Sequence, residues 1–272
     1  MTETGKKIRV GVVQNSPEFG SVEKNIDEVR QLVLAKTQDK TDLIVLPELF
    51  ATGYQFVSDT ELDRLAEEET GPTFQFFTEL SFKTGAIVVG GLPIRRSKGI
   101  TNSALVVFEG MLLASYDKIH LFDEERDLFI EGEKPLPIIP TSFGPMGVMI
   151  CFDWLFPEAL RSLALGGALI VAHPSNWVLP FGPQGMILRS VENRIFTVTA
   201  NRVGKEERGG KKPLTYIGKS QIISPNGVVL GQASGENTEM LITDVSPFEA
   251  LSKKVAGKSD FFQQRRPELY RI

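Results

Sequence analysis

The amino-acid sequence predicts an α/β protein: a mixed sheet, or two sheets packed together, covered by helices. Two observations carry this. Apolar segments of strand length alternate with segments whose apolar residues recur at helical spacing, as strand, crossover helix and strand follow one another. Two further strand pairs are joined by short glycine turns, Glu109-Gly110-Met111 and Pro225-Asn226-Gly227, which make antiparallel hairpins. Crossovers and hairpins in one chain exclude a purely parallel or purely antiparallel sheet.

The elements follow in order. Ile8 to Gln14 reads as a first strand, and Val22, Ile26, Val29 and Val33 then mark one face of a helix. Leu43-Ile44-Val45-Leu46 is a short buried strand, Phe74, Phe77 and Leu80 suit a second helix, and Ala86 to Gly90 forms a third strand. Asn102 to Phe108 and Leu112 to Tyr116 are the arms of the first hairpin. The second half repeats the theme: a strand near Val148 to Ile150, a helix from Pro157 to Leu165, a strand from Ala168 to Ala172, and a helix from about Gly185 to Phe196. Strands follow near Thr197 to Asn201, Lys219 to Ile223, Val228 to Leu230 and Met240 to Thr243. Gly204 to Pro213, rich in Gly, Lys and Glu, reads most simply as a solvated, mobile loop, with a lid or subunit contact as the sharper option.

Composition narrows the class. With 272 residues, 42% hydrophobic and 24% charged, the chain can build one large core, and a single domain over residues 1–272 is expected. A net charge of -4, with basic residues scattered except around Lys205 to Lys212, argues against nucleic acid as a partner. One cysteine permits no internal disulfide. The N-terminus is polar and followed by too short an apolar stretch for a signal peptide, and no later run approaches bilayer length, so a soluble cytoplasmic protein with no membrane partner is expected. No metal or other cofactor is expected, because two separated histidines and one cysteine make no ligand cluster. Gly218-Lys219-Ser220 matches the end of a phosphate loop, but the required earlier glycine is Pro213, and no Gly-x-Ser-x-Gly elbow exists.

The lone Cys151 stands where an apolar run gives way to Phe152-Asp153-Trp154-Leu155-Phe156-Pro157-Glu158. It is a candidate nucleophile at the carboxyl end of a strand, and equally a small buried hydrophobe. Partners are few. A Cys-His dyad would have to use His120 or His173, and His173 ends the strand one crossover beyond Cys151. Glu48, directly after Leu43 to Pro47, is either a partly desolvated general base or a loop acid and helix cap. In Ser115 to Phe122, alternation places Tyr116, Lys118 and His120 on one face, with Lys118 either snorkelling outward or held inward as a fixed cation.

Together, Glu48, Lys118 and Cys151 resemble the catalytic triad of the nitrilase, or carbon-nitrogen hydrolase, superfamily. Leu46-Pro47-Glu48-Leu49-Phe50 resembles the Glu segment, Tyr116 to Phe122 the Lys segment, and Met149 to Asp153 with Phe156-Pro157-Glu158 the Cys segment. Arg189, Glu192-Asn193, Ala200-Asn201 and Arg265 to Tyr270 also resemble family segments, structural or interfacial ones. The resemblance implies a four-layer α-β-β-α sandwich with two mixed sheets, assembling as homodimers or larger even-numbered homo-oligomers. It also implies a second glutamate after the lysine. Glu125, seven residues past Lys118 and seven before Gly132, fits that slot better than Glu124.

The implied chemistry follows from residue types. Glu48 takes the thiol proton, Cys151 attacks the carbonyl or nitrile carbon, and Lys118 with the Phe152 backbone N-H holds the developing anion. Nitrogen leaves, a thioester remains, and water releases the carboxylate. Cys151-Phe152-Asp153 is more similar to amidase and carbamoylase members than to Cys-Trp-Glu nitrilases, so a small amide is the favoured substrate. The wider Lys and Cys segments also resemble short members assigned to small aliphatic nitriles. Leu155 stands where many amidase-like members carry an arginine, so carboxylate recognition is not transferred there. Tyr54, Asn176 and Trp177 follow strand ends and are candidate pocket residues, Trp177 equally a packing residue. An N-carbamoyl amidase, an acyltransferase on the same scaffold and a non-catalytic binding subunit are the alternatives.

Overall fold

A computed structural model of the chain describes residues 7–37 and 40–271. The polar N-terminal run read above therefore lies, except for Lys7, outside the described residues. In chain order the elements are β1 (Ile8–Gln14), α1 (Val22–Lys36), β2 (Leu43–Val45), α2 (Asp59–Leu65), α3 (Pro72–Thr84), β3 (Ile87–Arg96), β4 (Gly99–Phe108) and β5 (Met111–Asp117). The second half holds β6 (Ile138–Ile139), β7 (Met146–Val148), α4 (Pro157–Leu165), β8 (Ile170–Pro174), α5 (Gly182–Asn193), β9 (Phe196–Ala200), β10 (Val203–Glu206), β11 (Leu214–Ile217), β12 (Gln221–Ile223), β13 (Val229–Gln232) and β14 (Glu239–Val245). A last ribbon pairs β15 (Lys254–Ala256) with β16 (Ser259–Asp260).

Two six-stranded mixed sheets carry the fold, in the orders β14-β1-β2-β3-β4-β5 and β6-β7-β8-β9-β12-β13. Read in those directions they share one pattern of strand directions: an antiparallel pair, two parallel pairs, then two antiparallel pairs. Residue alternation explains how they stack. In β2, Leu43 and Val45 face the inner core shared with Val148, Ile170, Ala172 and Val198, whereas Ile44 joins Val29 and Val33 of α1 and Phe77 and Leu80 of α3. In β4, Ala104 and Val106 point inward and Leu105 and Val107 toward the helices. Leu160 and Leu163 of α4 and Met186 of α5 cover the other sheet. The result is the α-β-β-α sandwich that the family resemblance implies.

The differences from expectation have local causes. The helix expected to end at Phe196 stops at Asn193, because Arg194 turns left-handed (φ 49°) and Ile195 and Phe196 are drawn into the sheet core. Gly204 to Pro213 is not simply a solvated loop: Gly204 to Glu206 pair with β11 as β10, and Glu206 is buried. Helix α2 escaped the periodicity reading, though Ser58 accepts a hydrogen bond from the Glu61 N-H, and the Glu61 carboxylate takes the Val57 N-H, a Ser-x-x-Glu start signal. Among the described residues no helix is long and apolar enough to cross a membrane.

Backbone packing sets the direction of the chain after β2. Gly91 N-H donates to the Pro47 carbonyl and the Gly91 carbonyl accepts from Phe50, so β3 runs directly under Glu48. A Cβ on Gly91 would lie 2.6 Å from Glu48 Cα and 2.8 Å from Leu49 N. On Gly11 the nearest atom is instead the flexible end of Met240. Gly91→Ala should therefore lower stability by about 1–3 kcal/mol, and more than Gly11→Ala does, as read by chemical denaturation.

Candidate active site

Three strand ends converge. Glu48 leaves β2, Lys118 leaves β5, and Cys151 opens a short 3-10 helix (Cys151–Leu155) just past β7. Tight backbone geometry accompanies these positions. Leu49 (φ 47°), Asp123 (φ 48°) and Cys151 (φ 40°) all occupy the left-handed region that side chains disfavour, which holds the neighbouring groups in sharply turned poses. The Lys118 segment is clamped at its backbone: Lys118 N-H donates to Asn102 O, and Lys118 O accepts from Gly132 N-H.

The Lys118 ammonium is fully buried and spends its donors on carboxylates. Nζ lies 2.7 Å from Glu48 Oε1 and 2.8 Å from each oxygen of Glu125. Asn102 Nδ2 donates to the same Glu48 oxygen at 2.7 Å, a partner that strand periodicity did not reveal. Tyr54 donates its hydroxyl to Glu125 Oε1 at 2.5 Å, and the Phe122 N-H donates to Oε2 at 3.1 Å. Glu124 is exposed and pairs with Lys211, so Glu125 is the glutamate on the lysine. Glu48 Oε2 is buried and has no partner.

Electrostatics follow from burial and charge. Burial lifts the Glu48 carboxyl above its ordinary range, against the pull of Lys118 and Asn102. Burial also disfavours the Lys118 ammonium, but Glu125 and Glu48 outweigh it and hold that group charged well above the usual lysine range. Burial, reinforced by Glu48, pushes the Cys151 thiol well up, opposed by Lys118 and by a hydrogen bond from the Asn176 backbone. The resting sulfur is therefore a neutral thiol. One cation already serves two carboxylates, so a thiol proton leaves most easily to a base within the cluster.

The segment after Cys151 is held by Asp153, another residue that sequence reading passed over. Its buried carboxylate accepts from Tyr116 Oη (2.8 Å) and the Ile150 N-H (2.8 Å) and contacts His120 Nδ1 at 2.7 Å. Tyr116 and His120 thus share Asp153, while Lys118 between them faces other carboxylates. His120 also stacks on Phe156 at 3.7 Å. Arg189 donates to the Trp154 carbonyl from α5, closing the far end of the turn. The Phe152 N-H lies in the first turn of the 3-10 helix, where backbone donors lack helical acceptors.

Neither histidine bonds the sulfur. His173 Nε2 lies 3.0 Å from the Cys151 carbonyl oxygen, and Nδ1 lies 3.0 Å from Thr199 Oγ1. A carbonyl only accepts, so Nε2 carries the proton and His173 braces the backbone. The Cys-His dyad is replaced by this contact. Asn176 and Trp177 follow β8, and Asn201 Oδ1 accepts from the Trp177 N-H at 2.7 Å. The Asn176 side-chain amide is buried with both atoms unpartnered, and the Trp177 ring packs against Trp154 and His173 with Nε1 unpartnered. Beside Glu125 and Tyr54 a cavity of about 80 Å3, lined also by Phe56, Phe122 and Phe129, has room for a small organic group. Among the described residues no group of three or more His, Cys, Asp or Glu side chains is placed to hold a metal ion.

Comparison with known proteins shows the family. The carbon-nitrogen hydrolase family model matches residues 9–250, and the chain belongs to that family of hydrolases. It is 38% identical to a nitrilase of Pyrococcus abyssi, covering 97% of this chain and 99% of that one. Among solved structures it resembles a carbon-nitrogen hydrolase from Helicobacter pylori (TM-score 0.86, 27% identity, 97% of each chain). It also resembles an amidase from Nesterenkonia sp. (TM-score 0.79, 26% identity, 96% of this chain and 94% of that one).

Burial drops His173 from 6.5 to about 4. The unfolded chain then binds the proton first, so this group leaves stability intact above about pH 6.5 and removes it as pH falls toward 4. That loss should be on the order of 3 kcal/mol, and His173→Gln should flatten the dependence of the melting temperature on pH across that window.

Proposed function

We propose that the protein is a thiol hydrolase of small amides, working through a Cys151 thioester with Glu48 as general base and then general acid. The observation that carries this reading is the buried, unpartnered Glu48 Oε2 on a carboxyl raised by burial. A group so placed takes the thiol proton as Cys151 attacks and returns it to the departing nitrogen. Lys118, anchored by Glu125, and the Phe152 N-H hold the oxyanion, and Glu48 then activates the water that frees the carboxylate. The unpaired side-chain amide of Asn176, whose backbone bonds Cys151, suits a short substrate with one polar head.

A small aliphatic nitrile is the second reading, favoured by the 38% identity to a protein called a nitrilase. The same groups serve it, with the Cys151 sulfur adding to the nitrile carbon and two waters completing hydrolysis. We also propose pairing of subunits, supported by Leu165, Leu188, Leu269 and Tyr270, which leave apolar surface exposed on α4, α5 and the C-terminal segment.

Ammonia release from butyramide and butyronitrile separates the two substrate readings: amide hydrolysis should be the faster, and turnover of the nitrile alone establishes the second. Cys151→Ala should lose at least about 1000-fold in kcat and show no acyl adduct by intact mass. A Cys151→Ala protein as active as wild type overturns the thiol mechanism.

Because Glu48 must be ionised to accept the proton, kcat/KM should fall as pH drops through the raised Glu48 value. The acid limb should lie above the ordinary carboxylate range of about 4.3, and Glu48→Gln should abolish turnover over the whole profile.

A further inference from the structure

We propose that Glu206 is a positioning residue for this reaction, acting through Tyr54 on Glu125 and thereby on Lys118; the inference rests on the triad reading above. Glu206 ends β10, some 150 residues away in sequence from the groups it holds, and only 5% of it is exposed. Its carboxylate takes the Gln55 N-H at 2.6 Å and the Tyr54 N-H at 3.2 Å to each oxygen. Two consecutive backbone donors on one buried carboxylate fix the peptide that carries Tyr54. Gly53 precedes it at φ 81°, and a Cβ there would lie 3.0 Å from Glu206 Oε1, so the backbone approaches this acid as closely as glycine allows.

The ring of Tyr54 is held from the same source. Glu206 pairs with Arg202 at 2.6 Å, Arg202 lies over the Tyr216 ring at 3.9 Å, and Tyr216 meets Tyr54 edge-on at 6.2 Å. At the other end Tyr54 Oη reaches Glu125 Oε1, the oxygen that also accepts from Lys118 Nζ. A continuous path therefore joins Glu206, Tyr54, Glu125, Lys118 and Glu48.

Stability alone gives little reason for such a pair. Buried ion pairs are commonly replaced by apolar residues without loss, and here Arg202 Nε is left buried without a partner. What the pair does achieve is a fixed Tyr54 hydroxyl. With that hydroxyl gone from Glu125, the Glu125 charge is less neutralised and acts more strongly against ionisation of the Cys151 thiol, which it already opposes.

Cys151 is the only cysteine, so the mass of an iodoacetamide adduct reports it alone. Alkylation rate against pH should be followed by intact mass for wild type, Glu206→Gln, Tyr54→Phe and the double variant. Glu206→Gln should move the midpoint of the profile up by about half to one pH unit and slow alkylation about 3–10-fold below the midpoint. Tyr54→Phe should do the same, and the double variant should match either single one, because both changes act on one path. An unshifted Glu206→Gln profile, or effects that multiply in the double variant, overturns the proposal.

Glu206→Gln strands the Arg202 charge and risks unfolding. The pair Arg202→Met with Glu206→Leu removes both charges together and should give the same shift; a folded chain without it overturns the proposal equally. The triad reading fails separately. It fails if Cys151→Ala still hydrolyses butyramide or butyronitrile, whereas an inactive Cys151→Ala protein beside an unshifted Glu206→Gln profile removes the positioning role alone.

Discussion

The structure around the site depends on one buried cation. Lys118 has no exposed surface, and it is kept charged only because Glu48 and Glu125 both point at it. An ammonium in such a place is unfavourable unless compensated, so everything that fixes those two carboxylates also keeps the lysine where it is. Asn102 steadies one of them and Tyr54 the other. Remove either acid and the ammonium keeps one counter-charge but loses one of the two anchors that fix its position. The same arithmetic governs the thiol: with two carboxylates nearby and one cation, a lasting thiolate is disfavoured.

Residues that came forward from the chain alone share a signature. Glu48, Lys118 and Cys151 are each a chemically able side chain where an apolar strand run ends, Glu48 and Lys118 in one sheet and Cys151 in the other. Mixed sheets covered by helices were legible in the same way, through apolar runs such as Leu43 to Val45, whereas the four-layer sandwich came only from the family resemblance. The groups that support the site left no such mark. Asn102 lies inside a strand, where a polar residue resembles ordinary outward alternation. Asp153 is one acid in a turn, and its partner Tyr116 is 37 positions away. Glu206 was the least legible, because its neighbours Lys205, Glu207 and Arg208 suggest solvent, and only contact with the backbone of Tyr54 and Gln55 makes it a buried acid. Local composition describes a residue's neighbours along the chain; burial is decided by neighbours in space.

His173 shows the converse. Its place at the end of β8 made it a natural partner for a nearby thiol, yet it holds the carbonyl of Cys151 and leaves the sulfur to the lysine and its two acids. A brace of that kind has its own use. Cys151 has a positive φ, a pose that relaxes unless the peptide on each side is tied. His173 ties its carbonyl, and Asp153 ties the N-H of the residue before it.

The matching order of strand directions in the two sheets has a consequence for how specificity can change. By position, β2 in one sheet corresponds to β8 in the other, each the strand shared by two successive parallel pairings. The end of β2 carries an acid, and the end of β8 carries Asn176 and Trp177 with unpartnered polar atoms. Under the proposed reaction, equivalent corners of a twofold scaffold have parted company, one retaining the proton chemistry and the other facing whatever is bound. Such a division lets the β8 corner drift toward new ligands while the β2 corner stays constant, so one framework can serve many substrates.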